Sequence, residues 1–167
     1  MSNEELATER LKLRELAPDD APALFAYRSH PDVAAFQSWK PATVEDARAF
    51  IKDLKLHPPY TGGTWRQLGI TLRDGDELIG DCGIHVMKSD SRHAEIGYTI
   101  APEHQRNGYA TEAVRGILGM LFGPLRMKRV AARTIGRNAA SKALLVGIGS
   151  RPEKNGRYVL DAENWSA

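Results

Sequence analysis

Gln105-Arg106-Asn107-Gly108-Tyr109-Ala110 joins two segments of different periodicity. Before it, His93 to Ile100 (HAEIGYTI) reads as a strand, bounded by Ser-Asp-Ser on one side and Ala-Pro on the other. After it, Ala110, Ala113, Val114, Ile117, Leu118, Leu121 and Phe122 recur at steps of three and one, the apolar face of a helix. A glycine at a strand-to-helix junction lets the backbone approach a ligand closely. The first-turn N–H groups, unpaired within the helix, then point at that ligand with the positive end of the dipole. The stretch is therefore a cradle for phosphate and a candidate site for a pyrophosphate-bearing cofactor. Taken alone, it also fits a tight turn that needs glycine only for its backbone. Other phosphate motifs are missing: there is no GxxxxGK followed by Ser or Thr, and Gly147-x-Gly149 follows a helix and lacks a third glycine.

Outward from this junction the chain alternates elements and turns. Residues 8 to 16 set Arg10, Lys12 and Arg14 against Leu11 and Leu13, a half-buried first strand. Asp19 and Asp20 start a helix through Leu24, Phe25 and Arg28 that ends near His30-Pro31. Thr43 caps a second helix with Ala47, Phe50, Ile51 and Leu54 at helical spacing. The loop His57 to Thr64, with two prolines and two glycines, is long and placed to shape a site. Strands follow at Trp65 to Leu72, Glu77 to Met87 and His93 to Ile100, and their tight polar turns imply antiparallel pairing. Gly123-Pro124 stops the helix over 110–122, and Lys128 to Ile135 is the next strand. Asn138 starts a short helix carrying Leu144, Leu145 and Ile148, and Arg157 to Leu160 forms a last strand. This order predicts an α/β chain of the α+β type: a single mixed, mostly antiparallel sheet with helices on both faces.

The whole chain sets bounds on function. Its 167 residues suit one domain, 1–167, with a sizeable core. With 26% charged residues, a net charge of +2 and no block of five basic residues, the chain is not a nucleic-acid binder. The polar start MSNEELATER is no signal peptide, and no apolar run reaches the roughly 18 residues that span a membrane. Cys82 is alone, which excludes an intramolecular disulfide and, with the other absences, points to the cytoplasm. His30, His57, His85, His93 and His104 lack ligand spacing, so no metal is expected. Cys82 and His85, three apart on a strand, face opposite ways; Cys82 reads as a buried small hydrophobe rather than a nucleophile.

The spacing Gln-x-x-Gly-x-Ala at 105–110 resembles the acyl-CoA motif of the GNAT superfamily of N-acetyltransferases. Ala94-Glu95-Ile96-Gly97-Tyr98 and Ala101-Pro102-Glu103-His104-Gln105 resemble, more narrowly, the branch containing the ribosomal-protein-alanine N-acetyltransferases. Thr8 to Arg14 and Asn138-Ala139-Ala140-Ser141 extend the likeness over most of the chain, weakening after about Val146. The resemblance implies an acetyl-CoA-dependent enzyme of GNAT-like fold that transfers acetyl directly to a primary amine. The acceptor is a protein or peptide N-terminal α-amine or a small-molecule amine.

The resemblance also implies roles. Backbone N–H groups of Gln105, Arg106, Asn107, Gly108, Tyr109, Ala110 and Thr111 hold the pyrophosphate, while backbone at Tyr98, Thr99 and Ile100 pairs with the pantetheine arm. Asn138 and Ser141, three apart at a helix start, face the thioester end, with Asn138 positioning the cofactor and Ser141 donating a proton or hydrogen bond to the departing thiolate. Capping is a second reading of Asn138. A neutral amine must also lose a proton, and Glu95, on the strand leading to the cradle, is the leading base; His93 and Glu103 are alternatives, and an ordinary surface carboxylate is the plain reading of Glu95. Backbone N–H groups near Tyr98 suit the oxyanion. Trp39, Tyr60 and Trp65 are core residues or line an acceptor pocket walled by loops 31–43 and 57–64.

The family pattern breaks near the C-terminus. Relatives run on to a Gly-Phe pair and a long hairpin, whereas here Gly149 precedes Ser150 and only residues 151–167 remain, with Lys154-Asn155-Gly156 as a tight turn. No residue matches the carboxylate that some relatives carry in that hairpin. The shortened hairpin leaves an edge that a second subunit could cover, giving a homodimer. It also motivates a second class of function, a catalytically inactive acyl-CoA-binding sensor or scaffold of the same fold.

Overall fold

The alternation over residues 8–16 resolves into a hairpin: β1 (Glu4–Ala7) turns back on β2 (Leu11–Glu15), with Leu6 opposite Leu13. The computed structural model describes residues 4–134 and 138–167. β1 escaped the sequence reading because an edge strand with only Leu6 and Ala7 as apolar residues has no alternation to detect. A turn at Pro18–Asp20 leads into α1 (Ala21–Arg28). Pro31 then opens a helix instead of merely closing one. In α2 (Pro31–Ala34) it occupies the first turn, where its missing N–H costs nothing, and the His30 ring accepts from the Asp32 N–H at 3.1 Å. Thr43 caps α3 (Val44–Leu54) reciprocally with Asp46, each side chain accepting from the other's N–H at 3.1 Å.

Four strands follow: β3 (Trp65–Leu72), β4 (Leu78–Val86), β5 (His93–Ile100) and, after α4 (Tyr109–Phe122), β6 (Arg129–Arg133). The expected end of β6 at Ile135 lies outside the described residues. α5 (Ala139–Gly147) precedes the final hairpin of β7 (Arg151–Pro152) and β8 (Arg157–Asp161). Its turn places Asn155 and Gly156 at positive φ, and the Glu153 N–H donates to the Arg157 carbonyl at 2.7 Å. The hairpin is therefore as short as the remaining residues implied.

The eight strands among the described residues make one sheet, ordered β1-β2-β3-β4-β5-β6-β8-β7, antiparallel except where β6 runs parallel to β5. On one face α4 and α5 cover Leu13, Ile70, Ile84, Ile96 and Val130 with Val114, Ile117, Leu121 and Leu145. On the other, α1 and α3 pack Leu24, Tyr27, Ala47 and Ile51 against Leu16 and Leu78. Each fully buried Leu or Ile contributes about 1.5–3 kcal/mol. The mixed sheet with helices on both faces is the architecture the order of elements predicted. Among the described residues, no helix is long and apolar enough to cross a membrane.

Candidate active site

The sheet opens where β5 meets β6. On its β4 side, β5 is paired along its length, from Ala94 opposite Val86 to Ile100 opposite Gly80. On its β6 side the ladder among the described residues runs from His93 opposite Arg129 to Ile96 opposite Ala132. Backbone groups of successive strand residues point to alternate neighbours. The bonds Met87 N–H to His93 O (2.9 Å) and Ala101 N–H to Ile79 O (2.8 Å) show that odd-numbered residues of β5 face β4. Even-numbered Tyr98 and Ile100 thus direct their N–H and C=O groups into the opening, while those of Thr99 face β4. The Ile100 carbonyl accepts from Gln105 Nε2 at 2.9 Å, which ties the following loop to the strand end.

That loop turns through two left-handed residues, Arg106 (φ 66°) and Gly108 (φ 79°), and Gly108 is the N-cap of α4. Glycine adopts this backbone without strain. The Glu112 N–H is bonded to the Gly108 carbonyl at 3.1 Å, so the N–H groups of Tyr109, Ala110 and Thr111 precede the helical ladder. Asn107 Nδ2 holds the turn by donating to the carbonyls of His104 (3.1 Å) and Gln105 (3.2 Å). Among the described residues, the first-turn N–H groups of α4 and the stretch of β5 beyond its β6 ladder therefore meet at one end of the opening.

A clamp from the start of the chain fixes this turn. Arg10 Nη1 donates to the Asn107 carbonyl at 2.8 Å, Arg10 Nε to Glu112 Oε1 at 2.7 Å, and the guanidinium lies 4.6 Å from the Tyr109 ring centre. Thr8 and the Arg10 N–H complete the shell around the Glu112 carboxylate. Partial burial pushes the Glu112 carboxyl up, but hydrogen bonds from Thr8 and Arg10 and the Arg10 charge outweigh this and hold it below its usual range. Without Arg10, a first-turn carboxylate would oppose an anion in the cradle. Thr8, Arg10 and Glu112 were given no role from sequence. Their separation by about a hundred positions hides the pairing, and only the quoted Thr8–Arg14 block marks the segment.

At the other side of the opening, Ser141 Oγ lies 2.8 Å from the Tyr98 hydroxyl, and the Ser141 N–H donates to Asn138 Oδ1 at 3.1 Å. Asn138 is thus the N-cap of α5, one of its two readings. Burial pushes the Tyr98 phenol up to about 12, although its hydrogen bond with Ser141 works the other way. The phenol stays protonated at neutral pH.

Glu95 belongs to the opposite face of β5, opposite His85 and half-buried. The Trp65 ring stacks on His85 with centroids 4.9 Å apart, and Trp65 is 50% exposed. Cys82 packs in the core on the α4 side, so it and His85 do face opposite ways. Trp39 stacks on Phe50 at 4.3 Å, and Tyr60 packs against the core with its hydroxyl on Glu5. A cavity of about 530 Å³ lies between α3, the following loop and β3, lined by Leu54, His57, Pro58, Arg66 and Gln67 among others.

Beneath this face sits a buried polar cluster that the sequence did not reveal. Asp81 is fully buried and pairs with Arg28 Nη2 at 2.5 Å, while Tyr27 and Gln67 Nε2 also donate to it. Burial holds the Tyr27 phenol protonated well above its ordinary range. Arg28 continues outward to Gln37 Oε1 at 2.9 Å and to the face of Trp39.

Comparison with known proteins identifies the family and the fold. The profile of the Acetyltransferase (GNAT) domain matches residues 10–151. The uncharacterized N-acetyltransferase YoaA of Bacillus subtilis is 37% identical over 150 residues, covering 89% of this chain and 83% of YoaA. A GNAT-family acetyltransferase from Bacillus anthracis superposes with a TM-score of 0.79 at 25% identity, covering 95% of this chain and 98% of that one. Mycobacterium smegmatis RimJ, solved in complex with CoA-disulfide, superposes with a TM-score of 0.78 at 22% identity over 92% of this chain and 82% of its own.

Proposed function

The chain belongs to the GNAT acetyltransferase family and is an N-acetyltransferase, and from that premise we propose that it moves acetyl from acetyl-CoA directly onto a primary amine. The carrying observation is the opening between β5 and β6, with donors converging on it from Tyr98, Ile100 and the α4 N-terminus. Its chemistry fits a CoA thioester: an amide-bearing arm can add to the β5 edge, and a pyrophosphate suits the Gly108–Thr111 N–H groups. Arg10 adds positive charge, since a Cβ placed on Gly108 would stand 3.3 Å from Arg10 Nη2.

The acid and base candidates lie on opposite faces of β5. Amine attack on the thioester carbonyl forms a C–N bond and breaks the C–S bond, leaving one proton to remove from nitrogen and one to deliver toward sulfur. Glu95, on the α1/α3 face, takes the nitrogen proton, directly or through a water. Ser141, on the α5 side, donates toward the departing sulfur. In this reading the protonated Tyr98 hydroxyl, 2.8 Å from Ser141 Oγ, is the donor of the pair, which turns the Ser141 proton outward. No covalent acyl-enzyme is needed.

Free-thiol release with a panel of peptides and small amines tests the reading. Ser141→Ala should lower kcat about a hundredfold with the acetyl-CoA KM held; unchanged turnover removes Ser141 from the chemistry. Glu95→Gln should lower kcat about a hundredfold, and turnover like that of the parent removes Glu95. Acetyl-CoA binding with no thiol release from any amine would instead fit an acyl-CoA sensor.

A further inference from the structure

Three cross-strand rows face α1 and α3 beside the opening: Trp65, His85 and Glu95; Gln67, Gly83 and Gly97; Gly69, Asp81 and Thr99. The middle row is bare at two of its three positions, Gly83 and Gly97. Gly97 is exposed, its φ is not positive, and a Cβ there would meet nothing within 4 Å. It sits one residue past the point where the β5–β6 ladder ends. Its partner Gly83 is bare for another reason: a Cβ would stand 2.7 Å from Gln67 Oε1 and 3.1 Å from the Trp65 ring. Glycine at 83 thus lets an amide and an indole lie flat on the sheet beside an empty floor at 97.

The amide orientation is fixed from below. Asp81 accepts from Gln67, so the NH2 group must face Asp81, and Oε1 is left over Gly83 as an acceptor. Around the floor there are then two acceptors, Gln67 Oε1 and the Glu95 carboxylate, and one half-exposed aromatic wall, Trp65 on His85. Resting on the direct-transfer reading above, we propose that Gly97, Gln67 and Trp65 form the acceptor trough, and that it takes the α-amine of an extended peptide with apolar leading residues. Two acceptors match the N–H bonds of a neutral primary amine, and the indole matches an apolar group a residue away. A polyamine would need several carboxylates, but Asp81 is committed to Arg28, which leaves Glu95 as the remaining acid of the three rows. Gln67 also lines the cavity of about 530 Å³ under Pro58, which has room for further residues of a peptide.

The test is free-thiol release from acetyl-CoA with three acceptors: the amidated peptides Ala-Phe-Gly-Ser and Ala-Asp-Gly-Ser, and spermidine. The wild-type protein should prefer Ala-Phe-Gly-Ser by about tenfold in kcat/KM, the scale of an apolar contact in a recognition site. Gly97→Val, whose Cβ enters open space, should melt like the parent and raise the peptide KM about tenfold while the acetyl-CoA KM stays put. Trp65→Ala should erase the preference for Phe over Asp. Spermidine as the best acceptor, or an unchanged peptide KM in Gly97→Val, overturns the trough and leaves direct transfer standing. No thiol release from the wild type with any of the three overturns both.

Discussion

A hydroxyl that stays protonated up to about pH 12 is a hydrogen-bond donor, and Tyr98 is held there mainly by burial. Either oxygen of the 2.8 Å contact with Ser141 is able to donate; the proposed mechanism has the phenol donate and the serine oxygen accept, which leaves the serine proton available elsewhere. On the proposed mechanism Tyr98 acts through Ser141, as a positioning residue. Tyr98→Phe should lower kcat about tenfold, a fraction of a general acid's full effect, with the acetyl-CoA KM unchanged. Below pH 10 the rate profile should keep its shape, because the phenol does not titrate there; a limb lost from that range would mean that Tyr98 itself exchanges the proton. For stability the sign follows from the raised value: the burial contribution is present below the ordinary phenol range and is lost as pH rises through about 12. Ser141 and Tyr98 both stand out in sequence as candidate site residues, from the quoted family-like blocks. Their contact was not, because it joins a strand to a helix 43 positions away.

At the scale of elements, the loop from Gln105 to Ala110 could be read from sequence because strand, glycine and helix are consecutive. What holds it could not. The clamp brings β2's leading residues to α4, and its members look like ordinary surface charges in the text of the chain. The β1 hairpin arm and α2 were missed for similar reasons: one is an edge strand with little apolar content, the other a proline-led turn that reads as a stop. The clamp makes a prediction of its own. The depressed Glu112 carboxyl contributes attachment that is present above the usual carboxylate range, about 4.3, and is lost as pH falls through its lower folded value. Acetyl-CoA binding by calorimetry should weaken in that acid window. Glu112→Gln should flatten the dependence and raise the acetyl-CoA KM several-fold at neutral pH while sparing kcat. Equal acid sensitivity in parent and variant would mean that the clamp does not set the cradle.

Across the whole molecule, the Arg28–Asp81 pair does two jobs at the centre of the sheet. It ties α1 to β4, and through Gln67 and Gln37 it orients groups on either side of the proposed acceptor face. In the sequence, Asp81 is one polar residue in the apolar run Leu78-Ile79-Gly80-Asp81-Cys82, with nothing to mark its partner 53 positions earlier. Removing one partner leaves the other as an uncompensated buried charge, which costs about 3–5 kcal/mol. Asp81→Ala should accordingly lower Tm by about 10 °C, at the few degrees per kcal/mol typical of chains this size. Replacing both charges with apolar groups of similar volume commonly restores such losses, so Arg28→Met with Asp81→Leu should melt well above Asp81→Ala, short of the parent by what the Tyr27 and Gln67 donors lose with Asp81. The two roles then separate. In the double variant nothing compels the Gln67 amide to present Oε1 to the floor, so the peptide KM should remain raised about tenfold although the fold is restored, with the acetyl-CoA KM unchanged. Thermal melts paired with thiol-release kinetics on the same preparations read both quantities. Full recovery of the peptide KM alongside Tm would assign the pair to stability alone, and the orientation of Gln67 would then owe nothing to Asp81.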